Sequence, residues 1–449
     1  MTRALALLLG AVAGLLAATQ PLADTDMWWH LATGRETLAH GIVRSDLFSW
    51  TVRGATVSTD QWLGQVAMYL AFLVADWRGV AILRVLLVTA LVALVALSAA
   101  RVTTRPLAVV LATLPAFLLT RPVWVDRPEL FGFAFFAALL LLLRLGRDGS
   151  WRALVGAVAL VGIWANVHGS FALGAILTVI ACGEGALRDG ARRREYVACA
   201  LATLAVTLAT PAGIGAWTAP GTHLLSPPRD IQEWNVVDVR TPLGLGYVVT
   251  LALLIARALL GPRIALRELV VLVPVALLSL TAARQAPLLA IAAAPVFASG
   301  VERLMSRVAI PAADRVAPSW SLAPSALLVV AALVMAPSAP DERAYPVAAL
   351  TSIPSGDGML ARYEWGGWLI WRAPGTPVFL DGRLTPYAGG PLDDYRRIVA
   401  ATPGWRDAVA RRGVRSLLVA PSDPVAVRAR ELGWRVTSSS GEFILIGVP

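Results

Sequence analysis

Residues 129–145 read ELFGFAFFAALLLLLRL, and between Glu129 and Arg144 every position is apolar or glycine. Coiled into a helix, this run is about 25 Å long, close to the thickness of a bilayer's hydrocarbon core. Similar runs occupy roughly 4–18, 61–76, 80–99, 106–120, 152–166, 170–187, 195–210, 243–260, 264–281, 285–299 and 321–337. The predicted fold class is therefore an α-helical integral membrane protein of about 11–13 transmembrane helices. With 57% hydrophobic and 15% charged residues and a mean hydropathy of +0.67, the composition excludes a soluble enzyme, a secreted disulfide scaffold and a disordered regulator. The first run, Ala4 to Ala18 after Arg3, has the look of a signal peptide but reads as a retained anchor, because the spans that follow need no removable leader. Cys182 and Cys199 lie inside apolar runs, without metal or disulfide spacing, and read as packing residues.

All 39 basic residues are Arg, and the net charge is +10. In a soluble chain that excess would suggest nucleic acid. Here the arginines punctuate short connections, so no nucleic-acid partner is expected. Arg101, Arg105, Arg144, Arg147, Arg152, Arg188, Arg192, Arg193, Arg194, Arg257, Arg263, Arg267, Arg303, Arg307 and Arg315 fall in alternate connections, which are expected to be cytoplasmic. The opposite connections contain 19–60, 121–128, 166–170, 211–242 and 281–286, and the tail follows them to the outer side. Two full spans between Gln61 and Ala100 would invert that order. Either 61–76 is a re-entrant or interfacial helix, as Trp62, Tyr69, Asp76 and Trp77 suit, or one further span exists.

The domain boundary is expected near 337/338. Beyond it, β-like runs (358–363, 377–380, 415–420, 434–437, 442–447) alternate with amphipathic helical stretches (393–401, 405–412, 424–432). This predicts a small extracytoplasmic α/β domain over 338–449 with a mostly parallel sheet, behind a multispan domain over 1–337. Neither G-x-G-x-x-G nor G-x-x-x-x-G-K-[ST] accompanies it, so nucleotide binding has no support.

The first outer loop carries the densest chemistry: Asp24-Thr25-Asp26-Met27-Trp28-Trp29-His30-Leu31-Ala32-Thr33-Gly34. A helix is expected from Met27 to His40, stopped by Gly41, with Asp26 as its N-cap. Helix N-termini favour negative charge, which suits a carboxylate base or metal ligand. Capping is the competing reading for Asp26 and for Asp60. Trp28 and Trp29 have an alternative as interfacial anchors, and His30, one turn beyond Asp26, as a structural histidine. Other outer connections hold Arg121 and Arg127, against the usual charge bias, then Asn166 and His168, Glu233, and Arg284. Arg suits bidentate capture of phosphate or carboxylate, whereas loop solvation explains each of these residues taken singly.

The acidic-aromatic stretch 24–34, followed by Trp62-Leu63, Arg127-Pro128, Trp164-Ala165-Asn166-Val167-His168-Gly169-Ser170, Glu233-Trp234, Trp365-Gly366-Gly367-Trp368 and Asp381-Gly382-Arg383, resembles a group of bacterial multispan proteins. That group is similar to the GT-C superfamily of membrane glycosyltransferases, among them protein O-mannosyltransferases and lipid A aminoarabinose transferases. The resemblance implies a GT-C-like core in a bacterial inner membrane and a polyprenyl-phosphate-linked sugar as donor. The acceptor it implies is a cell-envelope lipid, glycan or protein.

By position, Asp24 and Asp26 match the family's acidic motif and would act as base or metal ligands. A divalent cation (Mg or Mn) is left open. Arg121, Arg127 and Arg284 would take the leaving phosphate. Trp28, Trp29, His30, Asp60, Asn166, His168 and Glu233 would line the substrate cavity. A single displacement implies inversion at the anomeric carbon. This chain departs from better-known members in having Asp-x-Asp in place of adjacent acidic residues, and in its short outer loops. Two other classes compete. A lipid or polysaccharide flippase predicts inverted repeats or mid-bilayer charges, neither evident in the sequence. A non-catalytic GT-C-like scaffold has to explain an intact acidic motif.

Overall fold

The computed structural model describes residues 2–225, 232–308 and 319–449; Arg315 and the loop residues 226–231 lie outside them. The chain forms two compact units, Met1–Gln20 with Val74–Ser338, and Pro21–Leu73 with Ala339–Pro449. The first outer loop thus belongs to the same unit as the terminal domain.

Each of the twelve apolar runs falls on a helix. Among the described residues six helices are long and apolar enough to cross a membrane, and Thr2–Ala18, Trp151–Trp164 and Leu322–Met335 are shorter apolar ones. The helix Trp62–Ala100 is interrupted at Ala75 (φ −146°, ψ 26°) and Asp76 (φ 54°, ψ −146°). A left-handed aspartate costs backbone energy, and it marks where one straight helix becomes two. The division into units falls beside this break, so residues 62–73 belong with the second unit.

In the first unit, Thr2–Ala18 lies against the helix that holds Thr89 and Ala93. A side chain at Gly10 would come within 2.6 Å of the Thr89 carbonyl and 2.8 Å of Ala93 Cβ, and one at Gly14 would strike Thr89 Oγ1. Spacing the two glycines four apart lets the backbones meet, the packing device of membrane helices. The core around them is alanine-rich: Ala6, Ala96, Ala112, Ala116 and Ala293 are buried with Leu91, Phe136 and Trp164. Arg84 is a charge inside an apolar run that sequence reading passed over. It is buried, donating Nη1 to Asp126 Oδ2 at 2.6 Å and Nη2 to the Gln20 carbonyl at 2.6 Å, which ties connection 121–128 to the end of the first helix.

In the second unit the strands are β1 (Met359–Ala361), β2 (Ser416–Val419), β3 (Val436–Ser439) and β4 (Ile444–Gly447), in the order β1-β2-β4-β3. Only β1 and β2 are parallel; β2 with β4 and β4 with β3 are antiparallel. This corrects the expectation of a mostly parallel sheet. Residues 440–443 leave room for a turn and none for the crossover that parallel neighbours require. Leu360, Leu417, Val419, Ile444 and Ile446 face a core shared with Phe379 and Tyr387. The run 377–380 joins the first loop instead of the sheet: Trp50 N–H donates to the Val378 carbonyl at 3.1 Å, and Val378 N–H to Phe48 at 2.9 Å.

Candidate active site

In the second unit the helix Met27–His40 has the expected bounds, and Gly41 (φ 92°) closes it by donating to the Thr37 carbonyl at 3.0 Å. Its start differs from expectation. Asp26 has helical φ and ψ and makes no capping bond. Asp24 takes that role, its Oδ1 accepting the N–H groups of Asp26 (2.8 Å) and Met27 (3.2 Å). The capping geometry needs a carboxylate two or three residues ahead of its donors, and Asp24 has that offset. Asp26 Oδ1 instead accepts Trp29 Nε1 at 3.0 Å.

The two late motifs close around the same place. Trp365–Trp368 lies on the helix Tyr363–Arg372. Its glycines are small because the backbone comes close: a side chain at Gly367 would meet the Thr25 carbonyl at 2.9 Å, and one at Gly366 would strike the Leu380 carbonyl. A methyl group on Gly382 would fall on Asp26 Oδ1 itself. The acidic motif, Trp365-Gly366-Gly367-Trp368 and Asp381-Gly382-Arg383 therefore assemble into one constellation around Asp26.

Aromatic residues brace it. Trp28 is buried and donates Nε1 to Tyr345 Oη at 2.9 Å, and Tyr345 stacks on Trp368 with centroids 5.5 Å apart. Burial pushes the Tyr345 phenol up to about 12, with the Trp28 hydrogen bond opposing, so it stays neutral. Trp29 packs its ring on His30 at 3.6 Å, and Gln65 Nε2 lies 3.3 Å from His30 Nδ1. Asp60 accepts Ser58 Oγ at 2.6 Å at the entry to the helix at Trp62.

Behind the constellation sits a buried ionic network of which the sequence reading named only part. Arg383 donates Nε to Asp381 Oδ1 at 2.8 Å and Nη2 to Asp381 Oδ2 at 2.5 Å; it pairs with Asp46 Oδ1 at 2.6 Å. Tyr387 Oη donates to Asp381 Oδ2 at 2.7 Å, and Ser49 caps Asp46 Oδ2 through N and Oγ. Burial alone would raise the Asp381 carboxyl, but the Arg383 charge and the bonds from Arg383 and Tyr387 hold it below its ordinary value. Asp46 and Tyr387 stand in no motif and were missed.

In the first unit, four connections come together. Arg284 donates Nη2 to Glu129 Oε1 at 2.6 Å, pairs through Nη1 with Glu233 Oε1 at 3.2 Å, and lies 4.5 Å over the Trp234 ring. Arg127 and His168 are within electrostatic reach of Glu129. His168 Nδ1 accepts the Ser170 N–H at 3.1 Å and lies 2.7 Å from Ser170 Oγ, which accepts Trp164 Nε1 at 3.0 Å. That pattern puts the neutral ring's proton on Nε2. Asn166 donates to the carbonyls of Gly162 and Ala209, a tie between turns, and Arg121 is exposed. Glu129, missed as a site residue, stands first in the helix Glu129–Arg147, where a carboxylate is favoured.

A resident Mg or Mn ion would need several oxygen donors converging on one point. Asp24 Oδ1 is engaged by two backbone N–H groups and Asp26 Oδ1 by an indole, and among the described residues no three His, Cys, Asp or Glu side chains converge on one point. Hard cations take six or more oxygens, so this set does not fit one and no step is routed through it.

No family model matches the chain, and no curated protein sequence matches it. Among solved structures it is similar to the Archaeoglobus fulgidus oligosaccharyltransferase in its apo form, with 11% identity and a TM-score of 0.61 over 92% of this chain and 69% of that one. It is similar to the archaeal oligosaccharyltransferase AglB of the same organism in complex with an inhibitory peptide and a dolichol-phosphate, at 10% identity and a TM-score of 0.55, over 92% and 69%. ArnT from Cupriavidus metallidurans aligns over 97% of this chain and 96% of its own, at 12% identity and a TM-score of 0.55. At such identities the likeness is one of fold.

Proposed function

Starting from the GT-C fold that the chain shares with these membrane glycosyltransferases, we propose that it is an integral membrane glycosyltransferase of a bacterial inner membrane. It moves a sugar from a polyprenyl-phosphate donor to a lipid, glycan or protein acceptor of the cell envelope. The observation that carries this reading is the single constellation around Asp26, where Gly382 leaves room for the carboxylate and Trp29 orients it. A carboxylate so held can take the proton of an acceptor hydroxyl as its oxygen attacks the anomeric carbon. The carbon–phosphate oxygen bond breaks in the same displacement, the configuration inverts, and the polyprenyl phosphate leaves with the negative charge. The class of leaving group is supported by the dolichol-phosphate found with AglB.

Asp24 acts through Asp26, by fixing the start of its helix. Arg121, Arg127 and Arg284 are the cations proposed for the leaving phosphate. Arg284 already answers two carboxylates, and its part is to set the charge around Glu129; Arg121 stays exposed. His168, whose Nδ1 accepts the Ser170 N–H, is proposed as a further group facing a sugar or phosphate oxygen.

The test is Asp26→Asn against Asp24→Asn, with the lipid-linked sugar of the deletion strain as the readout. Asp26→Asn is expected to abolish transfer at normal expression and insertion, and the sugar donor to accumulate as in the deletion. Asp24→Asn keeps a good capping residue and is expected to retain most activity. Full activity of Asp26→Asn would remove the base assignment.

A further inference from the structure

The second unit carries another cluster of charges, in which no residue of the acidic motif takes part. Residues 390–415 hold six arginines against three aspartates, and three of the arginines converge on one carboxylate. Asp394 and Arg397 stand on the helix Gly390–Val399, and Arg411 and Arg412 in the last turn of the helix Trp405–Arg412. Ile398, Trp405, Ala408 and Val409 of the two helices share the core beneath. Asp394 Oδ1 accepts Arg397 Nη1 at 3.2 Å and Arg411 Nη2 at 2.5 Å, and its Oδ2 accepts Arg412 Nε at 2.7 Å. The Asp394 side chain is 6% exposed, against 41% for Arg397, 52% for Arg411 and 24% for Arg412, so the cations form the outer layer.

Burial would raise the Asp394 carboxyl, but Arg412 and Arg411 hold it below its ordinary value, so it carries a full charge at neutral pH. One guanidinium neutralises that charge. Three leave a surplus of two, which Asp407 screens in part, since it lies with Arg397 beside Gly404. Asp393 is taken by Arg396 at 3.7 Å. Among the described residues none of the three guanidiniums donates to a second acceptor, so most of their N–H groups are left for solvent. Like charges crowded on one carboxylate repel, and half-exposed ion pairs stabilise a fold little. A second anion on the solvent side relieves the repulsion, and guanidinium forks match the oxygens of phosphate or carboxylate. A phosphate monoester brings about −1.5 to −2 charges at pH 7 and three oxygens, more than the single charge of a carboxylate or a phosphodiester.

We propose that Arg397, Arg411 and Arg412 bind a phosphate monoester at the surface of the second unit, with Asp394 as the internal counter-ion that holds the three side chains together. The site does not depend on the sugar-transfer reading. The test is a phosphorus NMR titration of the purified full-length chain in neutral detergent at low salt. The probes are glycerol phosphate, inorganic phosphate and the diester dimethyl phosphate. Each is also titrated into Arg127→Gln, which removes phosphate held at the sugar-transfer site, so binding that survives there and falls in Arg411→Gln belongs to the cluster.

Glycerol phosphate is expected to bind one per chain in Arg127→Gln, and dimethyl phosphate about three- to tenfold more weakly. Arg411→Gln leaves Asp394 two partners, so it is expected to fold and to weaken glycerol phosphate about three- to tenfold. Asp394→Asn is expected to tighten it, because the cations lose their internal rival, and Arg343→Gln, at an exposed pair with Asp341, to leave it unchanged. Should Asp394→Asn not fold, Arg411→Gln decides. No glycerol phosphate bound in Arg127→Gln, wild-type affinity in Arg411→Gln, or equal binding of dimethyl phosphate overturns the proposal, and weaker binding in a folded Asp394→Asn overturns the counter-ion role. Glycerol phosphate bound more tightly than inorganic phosphate supports a phosphorylated carrier as the ligand; equal affinities support the free anion.

Discussion

Replacing Arg383 by Met removes the one cation set between Asp46 and Asp381, two carboxylates with no exposed side-chain surface. Removing one partner of a buried pair costs about 3–5 kcal/mol, because the charge left behind has neither water nor counter-ion. Here two carboxylates lose the same partner, so the upper end, about 5 kcal/mol, is expected. That is a large part of the roughly 5–15 kcal/mol that holds a domain folded. Arg383→Lys keeps the charge but cannot span both oxygens of Asp381 and also reach Asp46. It should cost about 1.5–3 kcal/mol, one charged hydrogen bond.

The pH dependence discriminates further. In the wild type the folded-state Asp381 carboxyl lies below its ordinary value, so its contribution is present above the unfolded value and is lost as pH falls through the folded one. Without Arg383, burial is opposed only by the Tyr387 hydrogen bond, and the folded value rises. Asp381 then destabilises at neutral pH, and the penalty is relieved as pH falls. The difference in stability between wild type and Arg383→Met should therefore shrink on acidification from pH 7 toward 4. Unfolding can be followed by the fluorescence of the Trp405–Trp434 pair, whose rings are 5.2 Å apart in the same unit. An Arg383→Met protein within about 1 kcal/mol of wild type, with an unchanged pH slope, would refute the account of a charge-balanced network.

Two further changes probe the packing that the motifs create. Gly382→Ala places a methyl group on Asp26 Oδ1 and should cut sugar transfer by at least tenfold while the unit still unfolds cooperatively; transfer at the wild-type rate would mean that Asp26 does not need its present position. Asp126→Ala strands Arg84 in the first unit and should destabilise it by about 3–5 kcal/mol, read as a loss of detergent-resistant folded protein; a loss below about 1 kcal/mol would show that Arg84 reaches water.

Reading the candidate site from the sequence succeeded where the signal is local. The helix Met27–His40 and its stop at Gly41 follow from periodicity and from the left-handed backbone that glycine permits. That Asp24 and not Asp26 caps the helix depends on where the helical backbone begins, since the carboxylate must stand two or three residues ahead of the N–H groups it accepts, and composition does not encode this. Arg284 pairs with Glu129 and Glu233, carboxylates of two other connections that the sequence alone did not place beside it. Arg84 was passed over inside an apolar run because its partner Asp126 lies 42 residues away.

By itself the sequence determined that the chain is a multispan helical protein with an α/β tail, since hydrophobic length and alternation act over neighbouring residues and need no knowledge of contacts. It also supplied the short motifs. Only the tertiary structure decided that residues 21–73 belong with 339–449, and that the sheet is mixed. It alone showed that Gly367 and Gly382, 15 residues apart, lie where a side chain would strike Thr25 and Asp26 of the acidic motif, while Gly366 lets residues 380 and 381 come close. Close approach and charge balance are properties of pairs far apart in the chain, and a pair becomes visible only when the fold brings its members within a few ångströms.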